Sequence, residues 1–220
     1  MISMTLADAA ASRGSRGPSD RRFVGVSIDS RSLDPGQLFF AIVGERFDGH
    51  GFVPAALEAG AAAAVVMPGR FSKDVAPGCL IEVSDTRRAL GDLARTWRRV
   101  TGLRVAGITG SNGKTTVKEM VAAIAGVSHR VVATRGNLNN EVGVPLTLFG
   151  IDGDDEIAVV EMGTSGPGEI AYLASIVEPD VALVNNCGAA HLERLGSLEG
   201  VAIEKSAIYG PLPADGVAVV

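Results

Sequence analysis

Apolar runs and segments of helical spacing alternate along the second half of the chain. Each apolar run precedes polar residues and then a stretch in which apolar side chains recur at helical spacing. Uninterrupted apolar runs are typical of strands buried on both faces, and strands that alternate with helices favour a parallel sheet. We therefore expect a parallel-sheet domain over residues 103–220. Its predicted strands are 105–108, 131–133, 157–160, 181–184 and a last one from residue 217, and its later helices are 144–149, 169–177 and 197–209.

The first part of the chain predicts a small mixed α/β domain over residues 1–84. Residues 85–102 predict a helix that links this domain to the next, with Leu90, Leu93, Ala94 and Trp97 on its buried side. The elements predicted before this helix are a short helix over 4–11, a polar loop over 12–22 and a helix over 52–59. The predicted strands are 23–28, a second one that follows the Pro-Gly turn and ends at residue 41, 62–67 and 80–83.

Composition indicates a globular protein with room for two modest domains. The chain has 220 residues, 46% of them hydrophobic and 20% charged, with a formal net charge of −5. This acidic balance argues against nucleic acid as a partner, and we expect Arg95, Arg98 and Arg99 to form a solvated helix face. No apolar run reaches the ~18 residues of a membrane span. Cys79 and Cys187 lack metal-binding spacing and, with no secretory signal, indicate a reducing cytoplasm.

A glycine-rich loop lies between the predicted strand 105–108 and a helix, which is the context that a phosphate-binding loop requires. Its glycines allow the backbone to approach a polyphosphate, the helix N-terminus attracts anions, and Lys114 adds a positive charge. The wider motif needs glycine where Ile108 stands, so the compact form G-x-x-G-K-T matches. A plain glycine turn with a surface lysine is the alternative. The predicted nucleotide-phosphate site comprises Gly110, Ser111, Asn112, Gly113, Lys114, Thr115 and Thr116.

Polar residues that follow the predicted strands are expected at one edge of the sheet, where parallel sheets bind ligands. They are Lys114, Asn140, Glu161 and His191. Glu161 follows four apolar residues and is expected to contact Mg²⁺ or substrate; an exposed strand-end carboxylate is the alternative. His191 could equally be a structural histidine at a helix start. For Lys205, which lies on a predicted helix, spacing alone favours a solvent-facing side chain.

Taken together, five segments resemble the Mur ligase family. DSRSLDPGQLFFAIVGERFDGHGF resembles its uridine-nucleotide-binding module, and GITGSNGKTTVKEM, NLNNEVGVPLTL, VVEMG and AHLERLGSLEGVAIEK resemble its central ATP-binding domain. The resemblance covers nearly the whole chain. NLNNEVGVP favours the type that adds D-alanyl-D-alanine to UDP-N-acetylmuramoyl-tripeptide during peptidoglycan precursor synthesis. In such ligases ATP phosphorylates the terminal carboxylate of the substrate, and the amine attacks the acyl phosphate to form an amide.

The resemblance also implies roles for the candidate residues. Lys114 and its loop hold ATP, while Thr115, Glu161 and His191 serve Mg²⁺. Lys205 matches a family lysine that carbon dioxide carbamylates, which turns a cation into an anionic group that supports the metal. The substrate-binding residues implied in the same way are Asp29, Ser30, Arg31, Asn139 and Asn140.

Alternatives remain within this resemblance and outside it. Ligases that add a single diamino acid or lysine share the compact loop, and so do the folylpolyglutamate synthetases, although these lack a first domain with the DSR sequence. A binding module without chemistry is a third possibility. The chain ends at Val220, whereas the family continues through the rest of the central domain and a third domain. We therefore expect the N-terminal part of a ligase that is monomeric when full length and inactive as this fragment.

Overall fold

The structure, a computed structural model, describes residues 1–11, 21–44, 47–71, 75 and 77–220. It contains two compact units, Met1–Thr96 and Trp97–Val220. The boundary between them falls inside α3 (Thr86–Thr101), the helix that the sequence predicts as a linker over residues 85–102. No helix in the described ranges combines the length and apolar character that crossing a membrane requires.

The first unit contains a two-stranded antiparallel sheet and a four-stranded parallel sheet. Its core forms where α2 packs on the parallel sheet, around Phe39, Val53 and Ala64. The strands are β1 (Ser3–Thr5), β2 (Arg22–Val24), β3 (Val26–Ser27), β4 (Leu38–Phe40), β5 (Ala63–Val66) and β6 (Leu80–Glu82). The helices before α3 are α1 (Leu6–Ala11), α2 (Val53–Glu58) and the 3₁₀ helices Gly49–Phe52 and Pro77–Cys79. The strand order is β1-β2 in the antiparallel sheet and β3-β4-β5-β6 in the parallel sheet.

Two predictions for the first unit need correction. The single strand expected over residues 23–28 is broken at Gly25, whose φ of +84° is incompatible with an extended strand. The helix expected from residue 4 begins at Leu6, because residues 3–5 pair with β2 instead. Of the polar loop predicted over 12–22, residues 12–20 lie outside the described residues, and Arg22 already belongs to β2.

The second unit is built on a five-stranded sheet in which every neighbouring pair is parallel, in the order β11-β10-β7-β9-β8. This confirms the predicted α/β class. The strands are β7 (Arg104–Thr109), β8 (Val131–Ala133), β9 (Ile157–Glu161), β10 (Val181–Val184) and β11 (Val217–Val219). The helices are α4 (Lys114–Ala125), α5 (Gly143–Phe149), α6 (Glu169–Val177), α7 (Leu192–Leu195), α8 (Leu198–Ser206) and the 3₁₀ helix Ala207–Tyr209.

The segment around residue 197 differs from its prediction. One helix was expected over 197–209, but a separate short helix, α7, precedes it and a 3₁₀ turn ends it. Ser197 lies between α7 and α8 as an N-cap, since its hydroxyl accepts a hydrogen bond from the Gly200 N–H. An extended N-cap residue separates the two helices, and apolar spacing alone does not show it.

Arg98 contradicts the prediction of a solvated basic face. Its side chain is 10% exposed, and its guanidinium donates to the carbonyl oxygens of Val177 and Glu178 and to Asp180 Oδ2, each at 3.0 Å. The last carbonyls of α6 have no intrahelical partner, so a buried arginine satisfies them. Burial lowers the pKa of Arg98, while Asp180 and Glu178 act in the opposite direction. The neighbouring Arg99, 59% exposed, pairs with the Glu178 carboxylate.

A candidate nucleotide-binding site

The glycine-rich loop joins the C-terminal end of β7 to the N-terminus of α4. Gly113 is the N-cap of α4, with a left-handed φ of +73° and no side-chain cap. The left-handed backbone favours glycine, and a Cβ at this position would lie 3.0 Å from Asn185 Nδ2, so that side chain would have to shift slightly. The first N–H groups of α4 therefore have no capping side chain, and an uncapped helix N-terminus favours a bound anion such as phosphate.

The loop after β10 braces the glycine-rich loop. Asn185 Nδ2 and Asn186 Nδ2 both donate to the Asn112 carbonyl, at 2.8 and 2.9 Å, and Asn186 Oδ1 accepts from the Asn112 N–H at 3.0 Å. The Ser111 hydroxyl donates to the Gly188 carbonyl and accepts from the Gly188 N–H, both at 2.9 Å. Sequence reasoning missed this role. The available signal was an Asn-Asn pair directly after a predicted strand.

The Lys114 side chain lies against the loop. Its Nζ donates to the Gly110 carbonyl at 2.8 Å and is 3.5 Å from the Ser111 carbonyl. The ammonium is therefore already located where phosphate oxygens would be bound by the loop and the helix N-terminus. Neutral carbonyls are weaker partners for an ammonium than an anionic phosphate, so a phosphate can replace them.

Glu161, the last residue of β9, is a buried carboxylate rather than an exposed strand-end residue. Its side chain is 2% exposed, and its Oε2 accepts from the Thr115 hydroxyl at 2.9 Å. Its Oε1 accepts from Asn139 Nδ2 at 2.8 Å. The structure thus brings Thr115 and Glu161 together at the phosphate loop, as the sequence predicts. Hydroxyl and carboxylate oxygens are hard donors that suit Mg²⁺, so these two residues fit that ion.

The two predicted substrate-binding asparagines make structural contacts. Asn139 supports Glu161, and its carbonyl accepts from the Gly163 N–H at 2.8 Å. Asn140 Oδ1 accepts from the N–H groups of Val142 and Gly143 at the start of α5, at 3.1 and 2.8 Å. A direct contact of either asparagine with substrate stays a prediction.

His191 lies at the N-terminus of α7 in a left-handed conformation, with φ of +53°. Its side chain is 45% exposed, and its Nδ1 is 3.9 Å from Glu193 Oε1. Among the described residues, no three His, Cys, Asp or Glu side chains converge closely enough to hold a metal ion by themselves. A Mg²⁺ ion at this edge of the sheet would need further oxygen ligands, and phosphates and water commonly supply them.

Lys205, on α8, is buried rather than solvent-facing. Its side chain is 3% exposed and makes no hydrogen bond or ion pair with any residue that the structure describes. Burial lowers the pKa of Lys205, and the positive charge of Lys114 lowers it further. The adjacent Glu204 is occupied elsewhere, because it accepts from the N–H groups of Gly168 and Ile170 at 2.7 and 2.8 Å. Lys205 is therefore a buried amine close enough to Lys114 to feel its charge, and Cys187 and Glu204 offset part of the lowering of its pKa.

In the first unit, the predicted substrate residues lie in the turn after β3. Asp29 Oδ1 accepts from the backbone N–H and Nε of Arg31 at 3.0 and 2.9 Å, and Oδ2 accepts from Nη2 at 2.6 Å. These hydrogen bonds lower the pKa of Asp29 to about 2. Ser30 lies between the two residues in the turn. The Arg31 side chain is 87% exposed, so this guanidinium can still meet an anionic ligand.

Two family models match most of the chain. The family model described as "Mur ligase middle domain" matches residues 108–220, and the one described as "Mur ligase family, catalytic domain" matches residues 22–98. UDP-N-acetylmuramoyl-tripeptide--D-alanyl-D-alanine ligase of Bacillus subtilis is 46% identical over 89% of this chain and 42% of its own length. The Escherichia coli ligase of the same name is 44% identical over 100% of this chain and 48% of its own length.

Solved structures of MurF ligases have the same fold as this chain. A crystal structure of MurF from Acinetobacter baumannii superimposes with a TM-score of 0.91 at 36% identity, over 100% of this chain and 49% of that one. MurF ligase from Thermotoga maritima in complex with ADP gives 0.82 at 35% identity, over 90% of this chain and 45% of that one. The chain spans about half the length of the curated relatives it matches. From its two matching domain models and its phosphate loop, we conclude that the chain belongs to the Mur ligase family.

Proposed function

We propose that the chain is the N-terminal part of an ATP-dependent amide ligase that adds D-alanyl-D-alanine to UDP-N-acetylmuramoyl-tripeptide. The observation that carries the proposal is the joint placement of an uncapped helix N-terminus, the Lys114 ammonium and the Thr115–Glu161 pair at one sheet edge. The names of the similar enzymes from Bacillus subtilis and Escherichia coli support the choice of substrates. The Thermotoga maritima structure with ADP supports a nucleotide as the ligand of the loop.

Charge neutralisation is the main contribution that these residues would make. Transfer of a phosphoryl group from ATP to a carboxylate brings two anions together, so catalysis depends on positioning and on compensating negative charge. The N–H groups at the start of α4 and the Lys114 ammonium provide positive potential at the phosphates. The amine substrate then attacks the resulting acyl phosphate, the new C–N bond forms, and inorganic phosphate leaves.

Mg²⁺ is the expected metal of this site, with Thr115 and Glu161 as its best-supported protein ligands and His191 as a third candidate. When bound, the ion adds positive charge at the phosphate oxygens. The Thr115 hydroxyl and the Glu161 carboxylate are 2.9 Å apart and already share a hydrogen bond, so they face a common point. Asn139 holds the second carboxylate oxygen and limits the rotation of the side chain.

Lys205 is proposed to act as a carbamate. Its neutral amine adds to carbon dioxide, a C–N bond forms and one proton is released, which leaves an anionic group at the end of the side chain. Burial and the nearby Lys114 charge lower the pKa of Lys205 and so favour the neutral amine that this reaction needs, although Cys187 and Glu204 act in the opposite direction. As an ammonium, the same residue would repel a metal ion at this edge of the sheet.

Binding of the uridine substrate is assigned to the first unit, at the turn that contains Asp29, Ser30 and Arg31. Titration of the purified chain with UDP-N-acetylmuramoyl-tripeptide by calorimetry tests this assignment. We expect saturable binding that Arg31→Ala weakens, with UDP-N-acetylmuramoyl-dipeptide as the comparison for a ligase that adds a single amino acid. Absence of binding, or tighter binding of the dipeptide, would argue against the proposed substrate.

A binding module without chemistry is the second candidate, and the observation that favours it is that the chain covers 42 to 48% of the length of the first two curated relatives. Incubation of the full-length protein with ATP, the UDP-sugar tripeptide and D-alanyl-D-alanine separates the two candidates. Amide product would support the ligase. Binding of both nucleotides without product would favour the module.

A further inference from the structure

Helix α4 buries a lysine while it exposes apolar side chains. Lys118 is 1% exposed, whereas Met120 is 57% and Ile124 71% exposed. A buried ammonium is costly unless it is paired and hydrogen-bonded, so an ordinary amphipathic helix would have the opposite arrangement. The functional site described above makes no use of Lys118, and its burial therefore needs a separate explanation.

The contacts of Lys118 connect α4 to the end of β8. Its Nζ donates to the Thr134 carbonyl at 2.6 Å, and Thr134 is itself only 1% exposed. The ammonium also pairs with Glu119 Oε1 at 2.6 Å, but the Glu119 side chain is 66% exposed. The bond to Thr134 is thus the buried interaction, and the pair with Glu119 is a surface one that contributes little.

Thr134 in turn reaches Glu161. The Thr134 hydroxyl accepts from the Glu161 N–H at 2.9 Å, in a fully buried position. The Glu161 carboxylate accepts from the hydroxyl of Thr115, which lies one turn before Lys118 on the same helix. The contacts form a closed ring: Lys118 to Thr134, Thr134 to Glu161, Glu161 to Thr115, and back along α4 to Lys118. This ring ties the N-terminus of α4 to the ends of β8 and β9.

We propose that Lys118 is a positioning residue for the divalent cation of the nucleotide site. It holds α4 against β8, and through Thr134 it fixes the Glu161 carboxylate opposite the Thr115 hydroxyl. The inference rests on the proposed function, because it concerns the cation that accompanies the nucleotide. Methionine in place of Lys118 fills a similar volume but leaves the buried Thr134 carbonyl without its donor, so the helix and the strand end lose their fixed distance. Substitution of residues that orient metal ligands reduces metal affinity by roughly 10–100-fold.

Calorimetric titration with ADP, with and without Mg²⁺, tests the proposal in the purified chain. In the wild type we expect Mg²⁺ to strengthen ADP binding. Lys118→Met should weaken the binding of ADP in the presence of Mg²⁺ by about tenfold, while binding without Mg²⁺ stays within about twofold because the loop and Lys114 are unchanged. Glu119→Gln is the matched control. It removes the surface pair but keeps the bond to Thr134, and the effect of Mg²⁺ should be that of the wild type.

Two further variants keep the test decisive. Thr134→Val removes the acceptor of the Glu161 N–H with little change in shape, and it should reproduce the selective loss even if Lys118→Met fails to fold. Lys118→Arg retains a donor and should recover part of the effect of Mg²⁺. The proposal is overturned if Lys118→Met or Thr134→Val keeps the wild-type response to Mg²⁺, or loses affinity equally with and without the ion. Wild-type chain that binds no ADP would instead refute the proposed function, and this inference with it.

Discussion

Arg98 offers a quantitative test of how the second unit is held together. Replacement by methionine removes three hydrogen bonds, to Val177 O, Glu178 O and Asp180 Oδ2, from a side chain that is 10% exposed. Asp180 keeps its bond from the Val105 N–H, and its side chain is 28% exposed, so water can compensate part of its charge. The variant leaves two carbonyl oxygens without a donor and the Asp180 carboxylate without its arginine. We therefore expect the free energy of unfolding to fall by about 3 kcal/mol, which is at the lower end of the range for breaking a buried ion pair.

The assay is urea unfolding followed by the fluorescence of Trp97, the single tryptophan of the chain, which lies in the same unit. Arg99→Met is the matched control, since Arg99 is adjacent and also pairs with a carboxylate, but its side chain is 59% exposed. We expect this control to cost less than about 1 kcal/mol. Equal losses in the two variants, or no loss in Arg98→Met, would refute the argument that the burial of Arg98 makes its contacts structurally important.

Three further predictions concern the candidate sites. In the full-length enzyme, Lys205→Ala should be nearly inactive and partly rescued by short-chain carboxylates that refill an anionic site; wild-type turnover in the variant would exclude the carbamate. The Asp29 carboxyl should titrate by NMR with a pKa of about 2, and Arg31→Ala should return it toward the ordinary 3.8. Because the pKa of Asp29 is lowered in the folded protein, the Asp29–Arg31 contact contributes stability above pH 3.8, and this stability is lost as the pH falls through about 2. If the Asp29 carboxyl of the Arg31→Ala variant titrates at the same pH as in the wild type, Arg31 is not the cause of the lowered pKa. The chain alone should form no amide product from ATP, the UDP-sugar tripeptide and D-alanyl-D-alanine, and product above background would contradict this expectation.

The sheet of the second unit could be predicted because its information is local. Each strand is an apolar run, and the glycine-rich loop after β7 has a recognisable spacing. Glu161 could be placed at the site because strand ends of a parallel sheet share one edge. The position of Thr115 follows from the spacing of the glycine-rich loop, and that of Glu161 from its place at the end of a strand.

The supporting contacts could not be predicted, because they depend on the spatial order of the strands. Asn185 and Asn186 brace the phosphate loop only because β10 lies beside β7, and Asn112 is 73 residues from the nearer of them. Lys118 and Arg98 are charged residues, and lysine and arginine side chains are mostly exposed in folded proteins, so the sequence alone predicts both at the surface. Each is buried because a backbone carbonyl elsewhere in the unit needs a donor. No local pattern reveals such a need.

The most direct test of the central claim is calorimetric titration of the purified chain with ADP, comparing the wild type with Lys114→Ala. We expect the wild type to bind ADP. The variant, with an unchanged unfolding midpoint, should bind it at least about tenfold more weakly, because it lacks the ammonium held 2.8 Å from the Gly110 carbonyl. Equal affinity in the two proteins, or no binding by a folded wild type, would contradict the claim that residues 110–116 form a nucleotide-phosphate site.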